Sequence, residues 1–142
     1  MKNILITMSG GTTSVINATL AGLIEQAQKS NQINRIFAGC PGILGFMNRK
    51  VREFTLTTNR ELKLIASTPG SAIVGTTRTK VFDDQEINIL NDLFEEYEIG
   101  YFVNIGGNGT IKQTRYIASK IQDIKVASAP KTVDNDLSKF LP

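Results

Sequence analysis

The chain has 142 residues, 41% of them apolar, which suits one domain with an ordinary core. Its net charge of +3 comes from 16 Lys and Arg against 13 Asp and Glu that are scattered rather than clustered, and with only seven Phe and three Tyr there is no basic and aromatic interleaving for nucleic acid. One cysteine, Cys40, and no histidine exclude an internal disulfide and the usual zinc and histidine-based catalytic sets, so cytoplasm is the expected compartment, with no apolar run long enough for a signal peptide or a membrane span.

In chain order, residues 3–9 form a short apolar run that ends at Gly10-Gly11 and reads as a strand. Residues 15–28 carry apolar side chains at Val15, Ile16, Leu20, Leu23, Ile24 and Ala27, the spacing of one helix face. A second strand is predicted over 36–40, followed by a glycine-punctuated loop over 41–45, a short extended piece over 51–56 and a short helix over 59–65. Residues 68–78, rich in small and hydroxyl side chains without a period, read as a functional loop. Asp83 and Asp84 supply a cap and an acidic first turn for a helix whose stripe is Ile87, Leu90, Leu93, Phe94 and Tyr97. A buried strand over 101–105, a helix over 111–121 opened by Gly106-Gly107-Asn108-Gly109-Thr110, and a strand over 125–129 complete the pattern. Repeated strand, glycine turn and helix units predict a three-layer α/β/α, Rossmann-like domain with a mainly parallel sheet, whose ligands sit at the carboxyl ends of the strands.

Two features carry chemistry. Ser9-Gly10-Gly11 and Gly106-Gly107-Asn108-Gly109-Thr110 each lead from a strand into a helix, where glycines let backbone N–H groups approach phosphate oxygens and the helix terminus adds partial positive charge. Neither has the spacing of the Walker loop or the dinucleotide fingerprint. Asp134 and Asp136, two apart in an extended stretch, face one side, with Lys131 close enough to neutralise phosphate charge. Phosphoryl transfer to an alcohol needs such a carboxylate and such a cation. By composition alone the same segment reads equally as a solvated turn.

The segment Pro130-Lys131-Thr132-Val133-Asp134-Asn135-Asp136 resembles the catalytic segment of the phosphofructokinase family. The resemblance extends to Gly10-Gly11 with Val15-Ile16-Asn17-Ala18, to the stretch from Pro69-Gly70-Ser71 to Thr76-Thr77-Arg78, and to Ile105-Gly106-Gly107-Asn108-Gly109-Thr110, four segments in family order. It implies transfer of a phosphoryl group to the 1-hydroxyl of fructose 6-phosphate with Mg2+, in glycolysis, by an enzyme that is a homo-oligomer when complete. By matching position, Asp134 is the implied general base, with Lys131, Thr132 and Asp136 completing the catalytic set and Thr132, Val133 and Asp134 meeting the sugar. Gly10, Gly11, Arg78, Thr79, Gly107, Asn108, Gly109 and Thr110 are the implied donor site, and Asn108 and Asp136 the implied metal ligands. Many members carry Asp where this chain has Asn108, and Ala21 stands where nucleotide-regulated bacterial members carry an effector-binding arginine.

Donor choice is read from two positions that point opposite ways. Gly109 matches ATP users, because the Asp common there in pyrophosphate users would clash with the α-phosphate; Lys131 is the residue of pyrophosphate users. ATP is the preferred expectation, since the steric block is absent and a lysine serves either donor. A non-catalytic nucleotide- or polyphosphate-binding module is the alternative; a lipid or dinucleotide kinase is disfavoured by the intact segment 132–136. Family members are roughly two ordinary domains long, so residues 1–142 are expected to be the donor-binding portion, without the sugar-binding half. Because positioning dominates this chemistry, these residues alone are expected to lack kinase activity, and an uncovered last strand is expected to favour self-association.

Overall fold

A computed structural model of the chain describes residues 2–9, 14–67 and 83–130. The predicted three-layer arrangement is the one adopted. Five strands lie in the order β3-β2-β1-β4-β5. They are β1 (Lys2–Met8), β2 (Ile33–Gly39), β3 (Val51–Glu53), β4 (Ile99–Gly106) and β5 (Lys125–Pro130). All pairs are parallel except β2 with β3. β1 holds the centre because six of its seven residues are buried, the near-continuous pattern of a strand covered on both faces.

The helices are α1 (Ser14–Lys29), α2 (Gly42–Met47), α3 (Asn59–Ser67), α4 (Asp84–Glu96) and α5 (Asn108–Lys120). Leu20, Ile24 and Ala27 of α1 and Leu62 and Ile65 of α3 pack on Ile4, Ile6 and Met8 of β1. On the opposite face, Ile43 and Phe46 of α2, Leu90 and Phe94 of α4 and Ile117 of α5 pack on Leu5, Phe37 and Phe102. Alternate residues of each strand thus feed two separate cores. The ring of Phe94 lies 5.6 Å from those of Phe46 and Phe102, at tilted angles that favour aromatic pairs. The predicted cap of α4 is present: the Asp83 carboxylate accepts from Glu86 N at 2.7 Å, and Ile87, Leu90, Leu93 and Phe94 are buried.

The predicted loop over 41–45 is instead the start of α2, a correction with a steric cause. Its glycines are there for close approach. A Cβ on Gly45 would run into the Cys40 backbone, 2.6 Å from its nitrogen, and one on Gly39 would lie 2.9 Å from the Gly42 carbonyl carbon. Gly42 has a φ of 50°, open to glycine at little strain. Ile43 and Phe46, three apart, then anchor the short helix. The antiparallel edge is fastened by a two-pronged contact in which Arg35 Nε and Nη2 donate to the Glu53 carboxylate at 3.0 and 2.6 Å. Arg35, and after it the Thr55 hydroxyl, hold the Glu53 carboxyl down at about 2.

Gly45→Ala is expected to destabilise the fold by about 3 kcal/mol, because the obstacle is backbone and cannot swing aside. Urea denaturation measures it, and a variant within ~0.5 kcal/mol of the parent would contradict this account of the glycine cluster.

Candidate functional site

From β1 the chain passes through α1 on one face to β2; from β4 it passes through α5 on the other face to β5. Crossovers of one hand require this, and the neighbouring strands β1 and β4 therefore release their helices in opposite directions. In open α/β sheets such a parting is where a crevice forms at the carboxyl ends of the strands, the usual ligand site. β1 and β4 run in register as far as Met8 opposite Ile105. Ser9 N then donates to Ile105 O at 2.9 Å, and the hydroxyls of Ser9 and Thr110 are 2.6 Å apart. Ser9, just past β1, and Thr110 in the first turn of α5 are thereby tied together.

Gly107 is the N-cap of α5, with no side-chain cap, and the first helical bond runs from Ile111 N to Gly107 O at 3.0 Å. The N–H groups of the preceding turn, Asn108 to Thr110, have no intrahelical acceptor, and the helix dipole adds partial positive charge there. Such a terminus suits an anion. Gly106 has a different task from the one the glycine-loop reading assigns. A Cβ on it would lie 2.6 Å from Thr110 Cβ and 2.8 Å from its Cγ2, so the missing side chain makes room for Thr110 to reach Ser9.

Beneath the crevice lies a polar chain. Thr7 Oγ1 donates to Asn104 Oδ1 at 2.8 Å; Asn104 Nδ2 donates to Gln113 Oε1 at 3.1 Å and to Thr114 Oγ1 at 3.3 Å; Thr114 Oγ1 donates to the Thr110 carbonyl at 2.7 Å. All of these side chains are buried. Sequence reasoning missed them. The available signal was a polar residue inside each of two apolar strands, with Gln113 and Thr114 one helical turn after Thr110.

Of the expected site residues, the structure describes Gly107, Gly109, Thr110 and the backbone of Asn108, and brings Thr110 into contact with Ser9. Gly10, Gly11, Arg78, Thr79, Lys131, Thr132, Val133, Asp134 and Asp136 lie outside the described residues, as does the side chain of Asn108. β5 pairs Pro130 with Gly106, so segment 131–136 follows directly from a strand end level with the α5 turn. Ala21 is buried in the core under α3. Among the described residues no cluster of three or more His, Cys, Asp or Glu could hold a metal, and no helix is long and apolar enough to cross a membrane. A cavity of about 610 Å³, lined by Arg52, Phe54, Leu56 and Leu64 among others, opens beside β3, two strands from the crevice.

The fold is that of an α/β domain with a mostly parallel five-stranded sheet covered by helices on both faces. The chain belongs to the phosphofructokinase family, whose model matches residues 3–140. It is 28% identical over 141 residues to the pyrophosphate–fructose 6-phosphate 1-phosphotransferase of Rhodospirillum rubrum, covering 94% of this chain and 34% of that protein. It is 32% identical over 139 residues to the probable ATP-dependent 6-phosphofructokinase of Malacoplasma penetrans, covering 97% of this chain and 41% of that protein. Among solved structures, the pyrophosphate-dependent phosphofructokinase from Nitrosospira multiformis superposes with a TM-score of 0.87 at 33% identity, over 94% of this chain and 34% of that one. The chain thus spans about a third of the length of these two pyrophosphate-dependent relatives.

Gly106→Ala is expected to push Thr110 away from Ser9 and to destabilise by about 2 kcal/mol, since the displaced side chain is β-branched and buried. Thermal denaturation of Gly106→Ala beside Gly106→Ala/Thr110→Ala, each relative to its own Gly106 parent, separates the causes: with Oγ1 and Cγ2 removed, the cost of the added methyl should fall. An unchanged cost would mean that Thr110 is not the obstacle.

Proposed function

We propose that the protein is a 6-phosphofructokinase that transfers a phosphoryl group to the 1-hydroxyl of fructose 6-phosphate, with ATP as donor, and that the present residues are its donor-binding portion. The observation that supports this reading is the meeting of Ser9, just past β1, with Thr110 in the first turn of α5, a helix start with no side-chain cap. Two turns around one helix terminus suit a polyphosphate better than a single charged group.

In this reading Gly10, Gly11, Gly107, Gly109 and Thr110 line the phosphate tail, and Arg78 and Thr79, from the segment between α3 and α4, meet it as well. Asp134 takes the proton of the sugar hydroxyl, whose oxygen then attacks the terminal phosphorus as the nucleoside diphosphate leaves. Lys131 offsets negative charge on the donor, while Thr132 and Val133 hold the sugar end. Asn108 and Asp136 would hold magnesium, since an amide carbonyl and a carboxylate are both the hard oxygen donors this ion takes. With it bound, charge on the transferred group is neutralised. A homo-oligomer in the cytoplasm, working in glycolysis, belongs to the same proposal.

ATP is preferred because Gly109, in the first turn of α5, presents no side chain to the α-phosphate. Pyrophosphate is the second reading, favoured by Lys131 and by the names of several relatives. Coupled assays of the intact protein with each donor decide between them. ATP turnover that Gly109→Asp abolishes is the expected result, by charge repulsion and loss of space. ATP turnover unchanged in that variant would contradict the steric account, and turnover with pyrophosphate alone would replace the donor.

A further inference from the structure

We propose that Asn104 is a positioning residue for the donor site: through its side chain it sets the place of the first turn of α5 relative to Ser9. The inference rests on the proposed reading of the residues 107–110 as phosphate-binding, and adds to it a residue that touches no phosphate.

The route is continuous and joins three elements. Thr7 and Asn104 are register partners on β1 and β4, with side chains on the face that α5 covers. Thr7 donates to the Asn104 carbonyl oxygen, and the Asn104 amide donates to Gln113 and Thr114 on the second turn of α5. Thr114 donates to the backbone carbonyl of Thr110, and the Thr110 hydroxyl meets that of Ser9, immediately after β1. The bonds therefore run from β1 through β4 and α5 back to β1 and circle the floor of the crevice. At 1% exposure, Asn104 has no contact with solvent and no route to a ligand of its own.

Two uses are open to a buried polar ring of this kind. As mere filling it is a poor choice: the neighbours on the same strand faces, Leu5 and Phe102, are fully buried apolar residues, and apolar groups need no partners. As a register device it does what apolar packing cannot. Leucine-like contacts tolerate a small slide or rotation of a helix, whereas a ring of hydrogen bonds of about 2.6–3.3 Å fails when any member shifts by an ångström. The part of α5 held by this ring is its first turn, whose N–H groups have no intrahelical acceptor. A donor phosphate then meets amides already spaced to receive it, and binding needs no reordering of the turn.

The test uses the intact protein with ATP and inorganic pyrophosphate as probes and three variants: Asn104→Leu, Thr114→Val and Thr114→Ser. Donor affinity, donor KM, fructose 6-phosphate KM, kcat and melting midpoint are read for each. Asn104→Leu and Thr114→Val are expected to weaken donor binding about tenfold and to leave the KM for the sugar phosphate within about twofold, while Thr114→Ser, which keeps the hydroxyl, binds donor as the parent does. Should Asn104→Leu fail to fold, Thr114→Val carries the test, because valine has the outline of threonine and the Thr110 carbonyl keeps its helical bond. Donor affinity unchanged in a folded Asn104→Leu or Thr114→Val protein, with only the melting midpoint lowered, would overturn the inference and leave the proposed function standing. An unaltered protein that binds neither probe would remove both together.

Discussion

The structure depends on one steric and topological constraint: β1 and β4 are parallel neighbours whose helices must leave to opposite faces. The crevice between them follows from connectivity rather than from a particular side chain, and the contacts around it serve to hold its two lips at a fixed separation. Ser9 and Thr110 join the lips at the surface, and Thr7 and Asn104 join the strands below. The glycine at 106 belongs to the same arrangement, since its missing Cβ is what lets Thr110 lie across the gap.

The rest of the domain is arranged so that this central pair stays rigid. β1 is covered on both faces, by α1 and α3 on one side and by α2, α4 and α5 on the other. The antiparallel β3 closes one edge and is held by the Arg35 to Glu53 pair, an exposed contact worth little by itself but correctly aimed to fix a three-residue strand. In the proposed reading, function on this scaffold is carried by the segments at the strand ends, while the core residues determine where those segments begin.

Much of the fold was legible from periodicity. The stripe Ile87, Leu90, Leu93, Phe94 and Tyr97 with Asp83 before it reads as a capped amphipathic helix, and α4 is that helix, with Tyr97 half-buried at its C-cap. The stretch after Cys40 was not legible, because glycines demanded by close backbone approach look the same in sequence as glycines of a loop. The site divides in a similar way. The turn at 107–110 could be placed because glycines between a strand and a helix mark a tight connection, and β4 and α5 flank it. Asn104 and Thr7 could not, since a polar residue in an apolar strand reveals its partner only when the register of β1 against β4 is known. For 131–136 composition alone left turn and catalytic segment equally open, and family membership is what supports the second.

The claim that the β1 and β4 turns together form a phosphate cradle is tested most directly by following backbone amide resonances of the intact protein during titration with inorganic pyrophosphate. The account predicts that Ser9 and residues 107–110 shift together along one saturating curve, while the opposite end of the sheet, around Lys2 and Lys120, stays still. Shifts confined to that opposite end, or to the cavity beside β3, would contradict it.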